Sequence, residues 1–408
     1  MRIIVQKFGG SSVASPAQRQ QVVKKIISAV QEGYSPVVVV SAMGRKGDPY
    51  ATDTFIGLVK EITSDYPARE MDILMSCGEI ISAAVMVATL RKMGYESCLL
   101  TGRDAGIITD KNFGDARIIK VLPQRIFELL QEKKIVVVTG FQGVTEDGDI
   151  TTLGRGGSDT TACALGVALD AEVIDIYTDV EGIMTADPRI VEDAKLLDTV
   201  TYNEICQLAH QGAKVIHPRA VEIAMQKNIP VRVRSTFSDH PGTLVSNLGG
   251  GNELGTDIRN DRLVTGITQI PNITQIRILT REVSEPAGLE LKIFKAMALA
   301  GISVDFINVT PEAVLFTVKE EQAEKAVQIL QNMNFIPQVR HGCAKVSVVG
   351  AGMAGIPGVM AAIVEALTRE GIQILQSSDS HTTIWCLVER EDMERAVRAL
   401  HQQFKLGQ

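Results

Sequence analysis

The chain has 408 residues, of which 22% are charged, and a net charge of −7 at pH 7. This length suggests two or three domains, and the acidic balance argues against nucleic-acid binding. No stretch approaches the roughly 18 apolar residues of a membrane span. Six scattered cysteines without a C-x-x-C pair indicate reduced thiols in the cytoplasm and exclude a disulfide framework or a zinc site.

Residues 1–246 alternate short β-branched runs with helical patterns. The predicted strands are 3–8, 36–42, 134–141, 173–179 and 229–235, and the predicted helices are 18–33, 71–94 and the region around 161–169. PVVVVSA (36–42) is a continuous apolar run, typical of a strand buried on both faces of a parallel sheet. The alternation predicts an α/β fold with a mostly parallel sheet, whose ligands collect at the C-terminal ends of the strands.

The last third of the sequence contains an internal repeat. KIFKAMALAGISVDFIN (292–308) aligns with AIVEALTREGIQILQSS (362–378), at the offset of 70 residues that separates Gly301 from Gly371. Each copy reads strand, helix, strand, strand, helix and a short final strand, which predicts two α+β ferredoxin-like units. We therefore place the domains at 1–246, 262–340 and 341–408, and expect the tandem units to pair.

The first candidate motif is KFGGSS (7–12), placed where the first predicted strand ends. Gly9 and Gly10 allow the backbone to approach a ligand, and their N–H groups with the Lys7 amine form a cradle suited to phosphate. The Walker A pattern is absent from the sequence. A tight turn with a solvated lysine explains this motif alone equally well.

The second motif, TLGRGGSDTT (152–161), is a glycine-rich turn that runs into a predicted helix. Arg155 can bind a carboxylate through two hydrogen bonds, Ser158 adds a donor, and Asp159 can orient cations. The structural alternative is a turn capped by Asp159 or Thr160. So many functional groups in one turn favour a ligand site.

Two further motifs are less specific. CGE (77–79) places Glu79 among small and apolar residues, where a substrate ammonium group or an internal arginine would satisfy it equally well. YTDVEGIMTADPR (177–189) follows a strand and suits a nucleotide, although an ordinary connecting loop also explains it. GAKV (212–215) places Lys214 near a helix.

One literal match to a cofactor motif is rejected. GAGMAG (350–355) reads G-x-G-x-x-G after the strand VSVV (346–349). Only about 50 residues follow it, too few for a doubly wound dinucleotide domain. We interpret it as a turn of the second repeat that accommodates a small effector or packs tightly.

In their order, these motifs resemble the amino acid kinase family, and within it the aspartokinases. The resemblance rests on KFGGSS (7–12), VSAMG (40–44), CGE (77–79), GFQG (140–143), TLGRGGSDTTA (152–162), YTDVEGIMTADPR (177–189) and GAKVIHPRA (212–220). The repeat resembles the paired ACT domains of lysine-pathway members. SAMGRKGDPYATD (41–53) and SSDSHTTIW (377–385) are most similar to the diaminopimelate-sensitive members of spore-forming Gram-positive bacteria.

The resemblance implies a cytoplasmic enzyme that transfers the γ-phosphoryl group of MgATP to the side-chain carboxylate of L-aspartate. The product would be 4-phospho-L-aspartate, at the entry to lysine, threonine, methionine and diaminopimelate synthesis. The implied catalytic residues are Lys7 and Asp159, and the implied aspartate contacts are Ser41, Thr52, Glu79, Arg155 and Ser158. The implied ATP contacts are Lys7, Gly9, Gly10, Ser11, Thr178, Asp179, Met184, Arg189, Lys214 and Val215. The family more often carries tyrosine where Met184 stands, which would remove an aromatic contact to the nucleotide.

The paired ACT domains imply feedback regulation by an end-product amino acid: meso-diaminopimelate, lysine or threonine. A homodimer or higher homo-oligomer is implied as well. The implied effector contacts are Gly288, Asn308, Gly358, Ser378 and Asp379. REVSEPAG (281–288) departs from the usual D-x-P-G pattern, which leaves open which effector binds and which unit binds it.

Three other functions are weighed against this one. A kinase for glutamate or acetylglutamate would share the glycine-rich turns, but the paired repeats and Glu79 argue against it. A non-catalytic amino-acid sensor would need only the repeats, whereas Lys7, Arg155 and Asp159 are all retained. A dehydrogenase would depend on the GAGMAG turn rejected above.

Overall fold

The computed structural model describes residues 1–213, 215–247, 263–282, 288–353 and 355–408, and it divides into two compact units. As far as these ranges are described, the first unit comprises Met1–Ile183, Leu196–His210 and Lys214–Arg259, and the second comprises Met184–Lys195, Gln211–Ala213 and Asn260–Gln408. The segment 184–195 therefore folds with the C-terminal repeats, which no sequence pattern indicated.

The first unit is built on two sheets. Its strands are β1 (Arg2–Phe8), β2 (Tyr34–Val40), β3 (Ser97–Leu100), β4 (Ile107–Thr109), β5 (Ile118–Val121), β6 (Ile135–Thr139), β7 (Gln142–Thr145), β8 (Ile150–Thr152), β9 (Val173–Thr178), β10 (Thr199–Val200), β11 (Val231–Ser235) and β12 (Thr243–Val245). Its helices are α1 (Gly10–Val13), α2 (Pro16–Gln31), α3 (Thr52–Lys60), α4 (Ala68–Lys92), α5 (Gln124–Gln131), α6 (Gly157–Ala168), α7 (Tyr202–His210) and α8 (Pro218–Met225).

The larger sheet has the order β10-β12-β11-β9-β1-β2-β6-β3, and the smaller has the order β5-β4-β7-β8. From β11 to β3 every neighbouring pair of the larger sheet is parallel. The central strands β1, β2 and β6 are almost wholly buried, because helices cover both faces of such a sheet. The predicted α/β fold is confirmed. Each strand and helix predicted within residues 1–246 is present, with its ends shifted by a few residues.

Helix α4 corrects one expectation. Its 25 residues, Ala68–Lys92, are long and apolar enough to cross a membrane by length and composition alone. The sequence-based prediction that no stretch approaches the length of a membrane span is therefore wrong. A helix in the core of a folded domain passes the same test, and α4 packs along β3, β6 and β8, so the feature is weak evidence for a membrane.

The second unit contains both repeats in one six-stranded antiparallel sheet of order β14-β15-β13-β16-β18-β17. Its elements are β13 (Gly266–Leu279), α9 (Leu289–Leu299), β14 (Asp305–Val309), β15 (Ala313–Lys319), α10 (Glu320–Asn332), β16 (Gln338–Val349), α11 (Val359–Arg369), β17 (Gln376–Asp379), β18 (Thr383–Glu389) and α12 (Met393–Gln403). The pairing of the tandem units expected from sequence is thus present within the chain.

The long strands β13 and β16 are shared between the repeats. The start of β13 pairs with the end of β16, as in Gly266 opposite Val349, and β18 lies on the other side of that end of β16. The end of β13 pairs with the start of β16, as in Arg277 opposite Gln338, and β15 lies on the other side of that end of β13. The second repeat therefore takes its fourth strand from the start of β13, whereas the fourth strand of the first repeat, residues 338–340, continues directly into the rest of β16. The short final strand predicted after α12 is absent from the described residues 404–408, because β13 already occupies that position.

The segment 184–195 packs inside the second unit. Ala186 and Val191 lie in the apolar core formed by β16, α11 and α12. Thr185 accepts a backbone hydrogen bond from Ile267 at 2.8 Å, and its hydroxyl lies 3.0 Å from Nε2 of the buried His401 on α12. Apolar packing and hydrogen bonds therefore both fix this segment in the second unit.

Candidate active site

The carboxyl ends of β9, β1, β2 and β6 meet at one edge of the larger sheet. Phe8 is opposite both Val40 and Tyr177, and Val40 is opposite Thr139. The turns that follow these strands carry the KFGG, VSAMG, TGF and YTD sequences. Four of the predicted motifs therefore lie at the edge where ligands collect in parallel sheets.

Lys7 and Asp159 form an ion pair at this edge. The Lys7 Nζ and Asp159 Oδ1 atoms are 2.7 Å apart, and the two side chains are only 13% and 11% exposed. Lys7 is the penultimate residue of β1, and Asp159 lies in the first turn of α6. The pair holds an amine in place beside Gly9, where a built Cβ atom would lie 3.6 Å from Nζ.

Gly10 permits a close approach between the turns after β1 and β2. A Cβ atom there would meet the backbone oxygens of Ala42 and Gly44 at 2.6 Å. The Gly44 N–H donates to the Gly10 oxygen at 3.0 Å, and the Ser41 N–H donates to the Phe8 oxygen at 3.1 Å. Only glycine fits this contact, which keeps the cradle next to Ser41.

Glu79 is a buried acid with one unsatisfied oxygen. Its side chain, on α4, is 2% exposed, and Oε1 accepts a hydrogen bond from the Ala42 N–H at 3.0 Å. Oε2 has no hydrogen-bond partner within the described ranges. Burial raises the pKa of Glu79 to about 8. No arginine among the described residues pairs with Glu79, so an ammonium group remains the natural complement.

Arg155 lies in the turn between β8 and α6, between two glycines in the left-handed region, Gly154 (φ +70°) and Gly156 (φ +71°). Its side chain is exposed and makes no hydrogen bond or ion pair with any described residue. Ser158 is buried, with its hydroxyl 2.6 Å from where a Cβ atom of Gly140 would stand. The turn thus presents a free guanidinium next to a buried hydroxyl.

The remaining predicted aspartate contacts lie on the chain that leaves β2. Ser41 directly follows that strand, and Thr52 is the first residue of α3. Both are half-buried, and neither hydroxyl forms a side-chain hydrogen bond to the described part of the chain. Both are therefore available to a ligand.

The predicted nucleotide contacts are divided between the units. Thr178 ends β9 and donates a hydrogen bond to Asp179 at 3.1 Å, and Asp179 pairs with Arg45. Met184 and Arg189 belong to the second unit, where the exposed Arg189 pairs with Asp187 at 2.7 Å. Ser11 lies in α1, and Val215 is half-buried in a turn of the first unit, whereas Lys214 lies outside the described residues.

The predicted effector contacts are spread over both repeats. Gly358 precedes α11 and lines a cleft of about 560 Å³ together with Asp379 at the end of β17. Gly288 precedes α9 in the left-handed region, and Asn308 lies in β14. Ser378, the neighbour of Asp379, lies outside the lining of the cleft. Of the five, only Gly358 and Asp379 come together.

Several residues near these sites were missed from sequence. Arg45 pairs with Asp179, and Asp72, Arg219 and His217 contact the turn that carries Arg155. Asp72 precedes Glu79 by seven residues on α4, which places both acids on one face of an apolar helix. That spacing was the available signal.

Comparison with known proteins identifies the family. The sequence matches the model of the amino acid kinase family over residues 2–235 and that of the ACT domain over residues 338–402. It is 53% identical over 407 residues to aspartokinase 1 of Bacillus subtilis (strain 168), covering 100% of both chains. The chain belongs to the aspartokinase family. The likeness to a Bacillus enzyme confirms the resemblance to an aspartokinase of that bacterial group, and sensitivity to diaminopimelate stays a prediction.

Two solved structures agree with this assignment. The chain is similar to E. coli aspartokinase III in complex with aspartate and ADP, in the R-state, with a TM-score of 0.78, 26% identity and coverage of 98% of this chain and 99% of the other. It is also similar to the same enzyme with lysine and aspartate, in the T-state, with a TM-score of 0.74, 26% identity and the same coverage. The protein is an ATP-dependent aspartate kinase, and the sibling kinases, the non-catalytic sensor and the dehydrogenase are set aside.

Proposed function

We propose that the residues at the carboxyl edge of the first unit bind L-aspartate and MgATP and form 4-phospho-L-aspartate. The observation that carries this proposal is a carboxyl group and a guanidinium that the fold leaves without partners. Glu79 offers a buried oxygen without a partner, and Arg155 offers an exposed guanidinium without a partner among the described residues. An amino acid that carries one ammonium group and two carboxylates complements both groups, because an ammonium group beside Glu79 favours its ionised form.

Aspartate would be held by polar groups that the fold leaves unused. Glu79 takes its ammonium group, and Arg155 and Ser158 take carboxylate oxygens, since a guanidinium matches a carboxylate in a planar fork. Ser41 and Thr52 add hydroxyl donors. The side-chain carboxylate of aspartate is already ionised at pH 7, so its attack on the γ-phosphorus requires no general base.

Lys7 would supply the electrostatic stabilisation. Its amine neutralises charge on the phosphoryl group as it transfers, assisted by the N–H groups of Gly9 and Gly10. Asp159 fixes the amine through the 2.7 Å ion pair. Catalysis then consists of positioning and charge stabilisation, as expected for phosphoryl transfer.

The ATP contacts we assign are Lys7, Gly9, Gly10, Ser11, Thr178, Asp179, Met184, Arg189, Lys214 and Val215. Mg²⁺ would arrive with the phosphates, because it keeps several waters and needs few protein carboxylates.

Regulation would reside in two ACT domains, at 262–340 and 341–408, following a catalytic domain at 1–246. The E. coli relative was solved with lysine, and we propose lysine, threonine or meso-diaminopimelate as the effector here. Gly358 and Asp379 in their shared cleft are the foremost contacts, and Gly288, Asn308 and Ser378 are further candidates. We also propose a cytoplasmic homodimer or higher homo-oligomer.

The test traps the acyl phosphate product with hydroxylamine. The full chain is incubated with MgATP and L-aspartate, with L-glutamate as control substrate, and the effector candidates are added in parallel. We expect hydroxamate to form with aspartate and not with glutamate, and one effector to suppress its formation. We expect Arg155→Met to raise the KM for aspartate at least tenfold. Hydroxamate formation with an unchanged KM in Arg155→Met would overturn the assignment of Arg155.

A further inference from the structure

Asp72 is a fully buried carboxylate in the first unit that the proposed chemistry does not use. It lies on α4 with 0% exposure. Its Oδ2 accepts hydrogen bonds from the backbone N–H groups of Thr152 at 2.8 Å and Gly114 at 3.0 Å, and its Oδ1 accepts one from the Thr152 hydroxyl at 2.7 Å. All three donors converge on the end of β8 and the loop beside it.

The side-chain carboxyl of Asp72 accepts all three hydrogen bonds at once. Burial raises the pKa of Asp72, and the three hydrogen bonds oppose that shift. An amide in its place removes the charge, and it keeps both backbone hydrogen bonds only in the rotamer that turns its NH₂ group toward the Thr152 hydroxyl, which must then accept instead of donate. A buried charge of this kind is costly unless it is fully hydrogen-bonded, so its geometry is tightly determined.

Arg219 holds the next residue of the same turn. From the start of α8, its guanidinium donates to the Leu153 oxygen at 3.0 Å and to the Ala116 oxygen at 3.4 Å, and it pairs with Asp115 at 3.0 Å. Asp72 and Arg219 thus fix two successive residues, Thr152 and Leu153, immediately before the glycine-rich turn.

The glycines on either side of Arg155 are fixed as well. A Cβ atom on Gly154 would meet the Asp115 carboxylate at 2.5 Å, and one on Gly156 would meet the His217 ring at 2.3 Å. Both glycines also have positive φ. Every neighbour of Arg155 in the turn is therefore held in place, whereas its own guanidinium is free.

We propose that Asp72 and Arg219 are positioning residues for Arg155, which orient its turn so that the guanidinium meets a carboxylate of aspartate. The inference rests on the proposed role of Arg155. Because the turn is fixed before substrate arrives, little ordering is required on binding, and small displacements of such supports reduce activity strongly. A residue that only stabilised the fold would affect both substrates equally.

The first test uses a matched pair at Thr152. Thr152→Val removes the hydroxyl donor to Asp72 and keeps the volume, and Thr152→Ser restores the hydroxyl. We expect the KM for aspartate to rise about tenfold in Thr152→Val, which corresponds to about 1.4 kcal/mol, with the KM for ATP within twofold of wild type. Thr152→Ser should recover most of the loss. Equal changes in both KM values, or no recovery by serine, would overturn the proposal.

A double-mutant cycle separates this inference from the role of Arg155. Asp72→Asn and Arg219→Lys are each combined with Arg155→Met, and Glu70→Gln, a half-buried acid in the first turn of α4 that pairs with Arg69, serves as the control. If Asp72 and Arg219 act through Arg155, each should raise the KM for aspartate at least fivefold in the wild-type background and less than twofold in Arg155→Met.

The outcomes are distinguishable. Additive effects overturn the positioning role while leaving Arg155 as a substrate contact. An unchanged KM for aspartate in Arg155→Met alone overturns the proposed role of Arg155 and the inference together. Should Asp72→Asn fail to fold, the Thr152 pair and Arg219→Lys still decide the question, because each retains the buried carboxylate.

Discussion

The turn 152–159 and the segment 184–195 are both assigned to ligands, yet they are held in opposite ways. The turn is fixed entirely by residues of its own unit, through Asp72 and Arg219. The segment 184–195 departs from the first unit and packs into the core of the second, with Thr185 against His401. The proposed aspartate contacts thus depend on one unit, whereas Met184 and Arg189, two of the proposed nucleotide contacts, belong to the other.

This difference indicates which substrate's binding an effector in the second unit would change. A change in the second unit that moves α12 or β16 also moves the segment with Met184 and Arg189, because they share one core. The turn with Arg155 has no such connection among the contacts described. We therefore expect changes in the second unit to alter the KM for ATP more than the KM for aspartate.

The largest effect is expected from Lys7→Met in the first unit. The variant removes the cation beside the transferring phosphoryl group, and loss of one such group costs about 10²–10³-fold in kcat. Steady-state kinetics with MgATP and aspartate measure the loss, and Lys24→Met, an exposed lysine on α2, is the matched control. A kcat within tenfold of wild type would contradict the role given to Lys7.

The next effect concerns Glu79 and pH. Its pKa is about 8 in the folded protein, against an ordinary value of 4.5. Substrate ammonium favours the ionised form, so the KM for aspartate should fall about tenfold between pH 6.5 and pH 8 in wild type, following the ionised fraction. Glu79→Gln should show a raised KM without that slope. A wild-type KM that is flat over this range would remove Glu79 from the ammonium site.

The same pKa makes a stability prediction whose sign is fixed. Between pH 4.5 and about 8 the folded state retains a proton that the unfolded state has released, so this group's contribution to the free energy of unfolding falls as pH rises. The Tm of Glu79→Gln relative to wild type should therefore increase across that range. Thermal unfolding of the ligand-free proteins measures it, and a difference that shrinks with pH would contradict the assignment.

A smaller effect is expected from His401→Leu in the second unit. Burial lowers the pKa of His401, so its neutral ring faces Thr185, and leucine removes that hydrogen bond. We expect the KM for ATP to rise about fivefold, or about 1 kcal/mol, with the KM for aspartate within twofold. Gln402→Leu, the exposed neighbour on α12, controls for general destabilisation. An effect confined to aspartate would break the comparison above.

The smallest effect is expected from Met184→Tyr, which restores the residue that the family more often carries. An added aromatic contact is worth about 0.5–1.5 kcal/mol, so the KM for ATP should fall about threefold. Substrate titrations at saturating aspartate measure it. Met184→Leu, which adds no aromatic ring, should leave the KM within 1.5-fold, and a similar fall in both variants would argue against contact with the nucleotide.

Local patterns predicted the parts of the fold that are themselves local. The apolar, β-branched strands β1, β2 and β6 were readable because burial on both faces leaves a direct signal, and the repeats were readable because of their offset of 70 residues. The short β7 and β8, with threonine and glycine in three or four residues, leave none. The place of 184–195 in the second unit depends on packing against residues more than 70 positions away, such as Ile267, which no nearby pattern encodes.

The candidate site divides in the same way. Lys7, Glu79, Arg155 and Asp159 were selected because charged groups beside glycines or within apolar helices are chemically conspicuous. Asp72 and Arg219 were not selected, because their importance lies in which backbone groups they reach after folding. The spacing of Asp72 from Glu79 and the place of Arg219 in the HPRA sequence (217–220) were hints. Both required the structure for their interpretation.

The two repeats share the long strands β13 and β16, and this sharing limits how the chain can be cut or recombined. A break between the repeats would leave each half-sheet with an unpaired strand edge, and such edges promote aggregation. Only exchanges that carry both repeats together, or that replace β13 and β16 as a matched pair, would yield a soluble product. Designers of chimaeric sensors from this scaffold should treat residues 263–408 and the segment 184–195 as a single module, because Ala186 and Val191 lie in the same core.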